Sequence, residues 1–290
     1  MKGGAWMDKI PIRHIRITQK EPDFSECFSI RDIEPIMAQQ EMVQELHRHD
    51  FFYILVLKKG TGTHEIDFTP YKVCDHSVFI MRPGQVHRLT LKPGSTGYLM
   101  QFRNDFYYPR QKVSNQLLRK VSNINCYYFS ENSFQKLISI LVSVFQEYTY
   151  KQEQYQEVLK ASLNIFFVEL VRQYSKMPPK NVSPYMQERL EEFLELLETH
   201  IFSHKQVSQY ADIMNLSNYQ LNAITKATLG KTCSELINEY VILESRRCIL
   251  ATSDQINQLA YHLGFQDVSY FIRFFKKHTG SSPEEFRRNN

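Results

Sequence analysis

The stretch GFQDVSYFIRFFKKHTGSSPEEFR, from Gly264 to Arg287, carries the most specific pattern in the chain. Tyr270, Phe271, Phe274 and Phe275 recur at helical spacing with Arg273, Lys276 and Lys277 between them, which predicts a short helix buried on one side and cationic on the other. Gly280 stops it, and Ser282 followed by Pro283 offers a cap and a first-turn proline for one more short helix. Upstream, Ile256, Leu259, Ala260 and Leu263 form a second apolar face that Gly264 interrupts. Helix, tight turn and basic helix make a helix-turn-helix, whose second helix enters a DNA major groove.

The same pattern occurs earlier in the chain. Val207 and Ala211 match Ile256 and Ala260, and Leu221, Ile224, Lys226, Gly230 and Leu236 match Phe271, Phe274, Lys276, Gly280 and Phe286. Ala223 stands in the place of Arg273 and Thr225 in that of Phe275. Between the two units, Thr232-Cys233-Ser234-Glu235 is a capping box, followed by Leu236, Ile237, Tyr240, Val241, Leu243 and Ile249 with no Gly or Pro before Gly264. One long helix is expected, holding the two reading helices on successive major grooves about 34 Å apart.

With Leu221 and Ile224 inward, Tyr219, Asn222, Ala223 and Lys226 share the outer face; with Phe271 and Phe274 inward, Ser269, Ile272, Arg273 and Lys276 do so. Asn222 suits adenine, and Arg273 suits guanine or a phosphate. Lys276 and Lys277 suit backbone anchoring. Asn218, Gln266 and Val268, at the entries of the two helices, complete the candidate double-stranded DNA contacts. An ordinary solvated face is the default for one such helix; two copies on a rigid spacer favour nucleic acid.

The run Ala260, Gly264, Phe265, Asp267, Ser269, Tyr270, Phe271, Arg273, Phe275, Lys276, Gly280, Pro283, Phe286 and Arg287 resembles the signature of the AraC/XylS family of bacterial transcription regulators. The resemblance implies a two-domain regulator with a cupin-like sensor barrel at its N-terminus, a small-molecule effector, and RNA polymerase as a further partner. In the family an Arg and a Phe are frequent where Ala223 and Thr225 stand, so the first unit departs from the pattern there.

Residues 28 to 105 bear this out in their own terms. Short apolar runs, Phe51 to Leu57, Val78 to Met81 and Gly97 to Phe102, are separated by Lys58-Lys59-Gly60, Arg82-Pro83-Gly84 and Lys92-Pro93-Gly94, which predicts a sandwich or barrel of many short strands. His47-Arg48-His49 and Pro83-Gly84-Gln85-Val86-His87 resemble the two half-motifs of a cupin barrel. His47 and His49 alternate along a strand and face His87 across the barrel, three imidazoles suited to a divalent metal. A metal-bearing cupin usually adds a Glu just beyond the first pair, where this chain has Phe51, Phe52 and Tyr53. His47, His49, Tyr53 and His87 are therefore taken as effector-binding candidates, with no metal, cofactor or catalytic residue assigned. The alternatives are a metal-dependent cupin enzyme, an isomerase or oxygenase, and a regulator whose barrel is a ligand-free scaffold.

From Ser133 the period turns helical. Phe134, Leu137, Ile138, Leu141, Val142 and Phe145 form one stripe; Tyr155, Val158, Leu159, Ser162, Leu163, Phe166, Phe167 and Leu170 form another. The pair covers the barrel, and in resembling proteins such a region is a common homodimer contact. Met177-Pro178-Pro179-Lys180-Asn181 and Ser183-Pro184 read as a linker. The expected organisation is a multi-domain α and β protein: a barrel over 1–130, a helical dimerisation or packing region over 131–176, a linker over 177–184, and an all-α double helix-turn-helix over 185–290.

Charge is informative only locally. Residues 181–290 hold 11 Lys and Arg against 13 Asp and Glu, so the proposed DNA-binding part is the acidic one, and the basic residues within it are concentrated at its end. Acidic or basic residues interrupt every apolar segment before it reaches membrane-spanning length, and no signal peptide is evident, which predicts a cytoplasmic protein. Cys27, Cys74, Cys126, Cys233 and Cys248 have no metal-ligand spacing and read as reduced thiols.

Overall fold

The structure, a computed structural model, describes residues 10–14, 27–103, 106–107, 112–174 and 182–289. Two compact units account for the chain, one from Pro11 to Pro178 and the other from Pro179 to Asn290 together with Met1–Ile10.

Among the described residues of the first unit lie ten strands: β1 (Ile12–Arg13), β2 (Phe28–Asp32), β3 (Met42–His49), β4 (Phe52–Lys59), β5 (Gly62–Ile66), β6 (Thr69–Val73), β7 (Ser77–Met81), β8 (Val86–Leu91), β9 (Thr96–Phe102) and β10 (Cys126–Tyr128). They form two five-stranded sheets, ordered β1-β3-β8-β5-β6 and β10-β7-β4-β9-β2. The alternation of a strand explains the layering. Tyr53, Leu55 and Leu57 of β4 join Phe79, Met81 and Leu99 in the core between the sheets. Phe52, Ile54 and Val56 point the other way, with Val78, Ile80, Met100 and Phe102, into a second core shared with the helices.

Those helices are α2 (Lys112–Ser122), α3 (Glu131–Tyr150) and α4 (Tyr155–Tyr174), following the short α1 (Glu34–Met37). Phe134, Leu137 and Leu141 of α3 and Leu159, Leu163, Phe166, Phe167 and Leu170 of α4 pack on the sheet. Lys151, at φ 48°, ends α3 in a left-handed cap. Helix α2 and strands β1 and β10 lie outside the elements that the sequence predicts, and Val158, expected in the apolar stripe, is 41% exposed because α4 turns that side away from the sheet.

The second unit is all helical: α5 (Pro184–His200), α6 (Val207–Ile213), α7 (Asn218–Leu229), α8 (Cys233–Ala251), α9 (Ile256–His262), α10 (Val268–Thr279) and α11 (Pro283–Asn289). Of the expected linker, 177–181 lies outside the described residues; Ser183 caps α5, accepting from the Met186 N–H. The repeat holds in detail. The Leu216 N–H donates to Ala211 O and the Phe265 N–H to Ala260 O, both at 2.9 Å, closing α6 and α9 through left-handed residues Asn215 and Gly264. Leu216 and Phe265 then turn into the common core with Leu221, Phe271 and Phe275. Thr232 with Glu235, and Ser282 with Glu285, form matching reciprocal caps on α8 and α11.

Gly264 has φ +79°, and a Cβ there would stand 1.9 Å from Phe202 O, whereas Gly280, at φ +84°, has open space around it. Gly280→Ala is expected to cost only the left-handed backbone penalty, about 1–2 kcal/mol. Gly264→Ala should cost clearly more, because backbone must move as well; urea unfolding of both variants measures the difference, and equal losses would contradict the close approach.

Candidate functional site

Four imidazoles meet inside the barrel. The register of β3 against β8 shifts between Gln44 and His47, and His47 then sits opposite His87. His64, on β5, comes from the far side of β8. Nε2 of His47 and Nε2 of His49 each lie 2.9 Å from Nε2 of His87. Nε2 of His64 lies 2.9 Å from Nδ1 of His87. His47 donates from Nδ1 to the Glu45 carbonyl at 2.7 Å. Ligand atoms of His47, His49 and His87 all lie within 4.8 Å of one another, so these three could hold a metal ion.

All four rings are buried. Removal from water disfavours their charged form and pushes His47 down to about 4, with Arg13 adding to the effect. Burial likewise brings His49 and His64 down to about 3, with His47 lowering both further. His87, at the centre, is held well below the ordinary histidine range, again by burial first and then by its three neighbours. The cluster is therefore neutral at pH 7. Tyr53 stacks on His49 with ring centres 5.1 Å apart. Its hydroxyl is buried and has no hydrogen-bond partner among the described residues, as is also true of Nδ1 of His49 and of His64. Burial raises the Tyr53 pKa, while Arg31 and Arg13 pull it the other way.

The structure thus brings together His47, His49, Tyr53 and His87 and adds His64, which the sequence reading missed. The only sequence signal was period-two alternation: Gly62, His64 and Ile66 share one face of β5, and Ile66 is buried.

At the other candidate site, α7 and α10 present the repeated faces. Asn218, Tyr219, Ala223 and Lys226 are exposed on α7, as are Ser269, Ile272, Arg273, Lys276 and Lys277 on α10, with Gln266 exposed just before it. Val268 is half-buried and packs against the core. Tyr270, expected inward, is 54% exposed; it lies against Phe274 and Phe265 and adds to the outer face. Lys226 lies within electrostatic reach of Glu235, and Lys276 within that of Glu285.

Asn222 departs most from expectation. Its Oδ1 accepts from the Cys233 N–H at 3.0 Å and its Nδ2 donates to Asn218 O at 3.0 Å, so both amide atoms proposed for adenine are bonded within the domain. The repeat supplies the reason. Cys233 opens α8 with an N–H that needs an acceptor, whereas Pro283, its counterpart opening α11, has none, and Ile272 stands where Asn222 does.

Comparison with known proteins agrees with both halves. Residues 33–108 match the AraC-like ligand binding domain family, and residues 210–289 match a helix-turn-helix domain family. The HTH-type transcriptional activator RhaS of Enterobacter sp. (strain 638) is 23% identical over 258 residues, covering 88% of this chain and 91% of that protein. RhaS of Escherichia coli O157:H7 (strain EC4115 / EHEC) is 25% identical over 259 residues, covering 88% and 91%. Among solved structures, ToxT from Vibrio cholerae covers 90% of this chain and 98% of its own at 16% identity and a TM-score of 0.44. A ligand binding barrel joined to a double helix-turn-helix defines a DNA-binding transcription regulator. The chain's two halves match the AraC-like ligand binding domain family and a helix-turn-helix domain family, the pairing that the resemblance to the AraC/XylS family implies.

Because the folded imidazoles hold protons less well than their unfolded counterparts at 6.5, the unfolded chain binds more protons between the two values. The stability this burial contributes is complete above about 6.5 and is lost as the pH falls toward 4. In chelator-treated buffer the barrel's thermal midpoint should already drop between about pH 6.5 and 5, above the ordinary carboxylate range. A flat profile across that window would mean that the rings are not kept neutral by the fold.

Proposed function

We propose that the first unit senses a small molecule through His47, His49, Tyr53 and His87, now joined by His64, and that the second unit reads two neighbouring major-groove segments. The observation that supports it most is the repeat itself: two exposed recognition faces, on α7 and α10, flank one uninterrupted helix, α8, of 19 residues. At 1.5 Å per residue that helix is about 28 Å long, close to one turn of DNA. The barrel acts as a sensor and not as a catalyst, and the protein works in the cytoplasm, where the DNA is.

The chemistry around Tyr53 favours an effector with an anionic or other oxygen-bearing group. Arg13 and Arg31 both act electrostatically on its hydroxyl, which lacks a partner among the described residues. Signal passes by a difference in affinity for the effector between DNA-competent and incompetent states. The regulator works as a homodimer through α3 and α4. Val158 and Ile165, two turns apart on α4, are 41% and 52% exposed and form an apolar strip on the side facing away from the sheet. RNA polymerase is the partner that a bound regulator would address.

Arg273, exposed on α10, is the side chain best placed to select a base. Arg273→Ala should weaken binding to the cognate site by about 1–3 kcal/mol in a gel-shift titration, and Lys277→Ala should chiefly reduce the salt dependence. Unchanged affinity in Arg273→Ala would remove this face from the interface. For the dimer, Ile165→Glu should shift the sedimentation coefficient to that of a monomer while leaving the fold intact; a wild-type protein that already sediments as a monomer in the presence of DNA would reject the assignment.

A further inference from the structure

We propose that the barrel interior holds one divalent transition-metal ion, bound by Nε2 of His47, His49 and His87, with His64 as the group that orients His87. The argument begins with counting protons. A carbonyl can only accept, so the 2.7 Å bond to Glu45 O fixes the His47 proton on Nδ1 and turns its Nε2 lone pair into the barrel. His87 Nε2 lies 2.9 Å from that lone pair and 2.9 Å from Nε2 of His49. Between three neutral rings arranged in this way, only one proton can lie among the three Nε2 atoms without two N–H groups opposing each other. One proton cannot serve both contacts well, so at least one nitrogen lone pair is left without a hydrogen to accept.

His64 removes the conflict. Its Nε2 is 2.9 Å from His87 Nδ1, and when His87 carries its proton there, His64 accepts it. With the His49 proton on Nδ1, which has no partner among the described residues, three Nε2 lone pairs then converge with no proton between them, which is the electronic arrangement a cation satisfies. Metal-bound histidines characteristically fix their second nitrogen on a carbonyl or another acceptor, as His47 does on Glu45 O and His87 on His64. Tetrahedral bonds of about 2.0–2.1 Å place ligand nitrogens roughly 3.3 Å apart, so the two 2.9 Å contacts to His87 open by a few tenths of an ångström, while His47 and His49, whose ligand atoms lie within 4.8 Å of one another, draw together around the ion. An all-imidazole set suits zinc, copper, nickel or iron over magnesium or calcium. Three neutral ligands leave the ion its full charge and an open position, and the buried Tyr53 hydroxyl is beside the cluster as a hydrogen-bond group for a water or oxygen donor there. The site stands whether or not an organic effector enters the barrel.

The test uses the full chain, stripped with chelator and titrated with Zn²⁺ against a chromophoric competitor, followed by X-ray absorption on the zinc-loaded wild type. Expected are one ion per chain and an absorption signature of three imidazoles. His87→Ala should abolish tight binding, and His64→Ala should keep the stoichiometry while weakening affinity about 10- to 100-fold. Should His87→Ala fail to fold, the wild-type absorption spectrum still decides the ligand set. Failure to compete at micromolar zinc, a sulfur ligand, or fewer than three imidazoles would overturn the proposal; unchanged affinity in His64→Ala would overturn the orienting role.

Discussion

The first unit depends on one constraint: the sheet built around β4 has no face in water. Every residue from Phe52 to Leu57 is buried, alternate side chains going to opposite cores. Apolar surface of that kind is stable only when covered on both sides. The opposing sheet covers one side and α2, α3 and α4 the other, so strands and helices fold as a single body. The same enclosure makes the barrel interior dry, and dryness is what keeps His47, His49, His64 and His87 uncharged. Packing of the sheet thus determines the protonation state of the site it surrounds.

In the second unit the corresponding part is α8. Its residues Leu236, Ile237, Val241, Ile242 and Ile249 lie in the core shared by both helix-turn-helix repeats. At its far end the Arg287 guanidinium donates from Nε to Ile249 O at 3.1 Å, tying α11 back to the spacer. Lys205 performs a related task for α5, donating to Ile201 O and Phe202 O with the Phe265 ring 5.2 Å away. Cations close the C-terminal ends of both helices, where unpaired carbonyls gather negative charge.

Features written in short-range code were legible from the sequence. Thr232 with Glu235, Ser282 with Pro283, and Gly230, Gly264 and Gly280 mark helix ends through local backbone chemistry, and the structure uses each as read. The convergence of His47, His49 and His87 was also legible, because period-two alternation fixes the face of a strand. What the sequence hid depends on partners distant along the chain. His64 joins the cluster only through the pairing of β5 with β8. Tyr270 sits at helical spacing with Phe271 and Phe274, yet the core lies to the other side of it, so an aromatic residue reads as inward and faces out. Asn222 reads as a base-recognising amide until the unpaired N–H of Cys233, eleven positions later, claims it.

That last bond bears on how such a regulator can change its target. In the first repeat, position 222 lies on the face proposed to meet DNA and also completes the start of α8, so on that proposal most replacements there would alter the recognition surface and loosen the scaffold together. Pro283 frees the second repeat from this double duty, and Ile272 answers to no backbone group. New operator preferences are therefore more readily acquired through α10 than through α7, and a library randomised at 269, 272, 273 and 276 should yield more folded members than one randomised at 219, 222, 223 and 226.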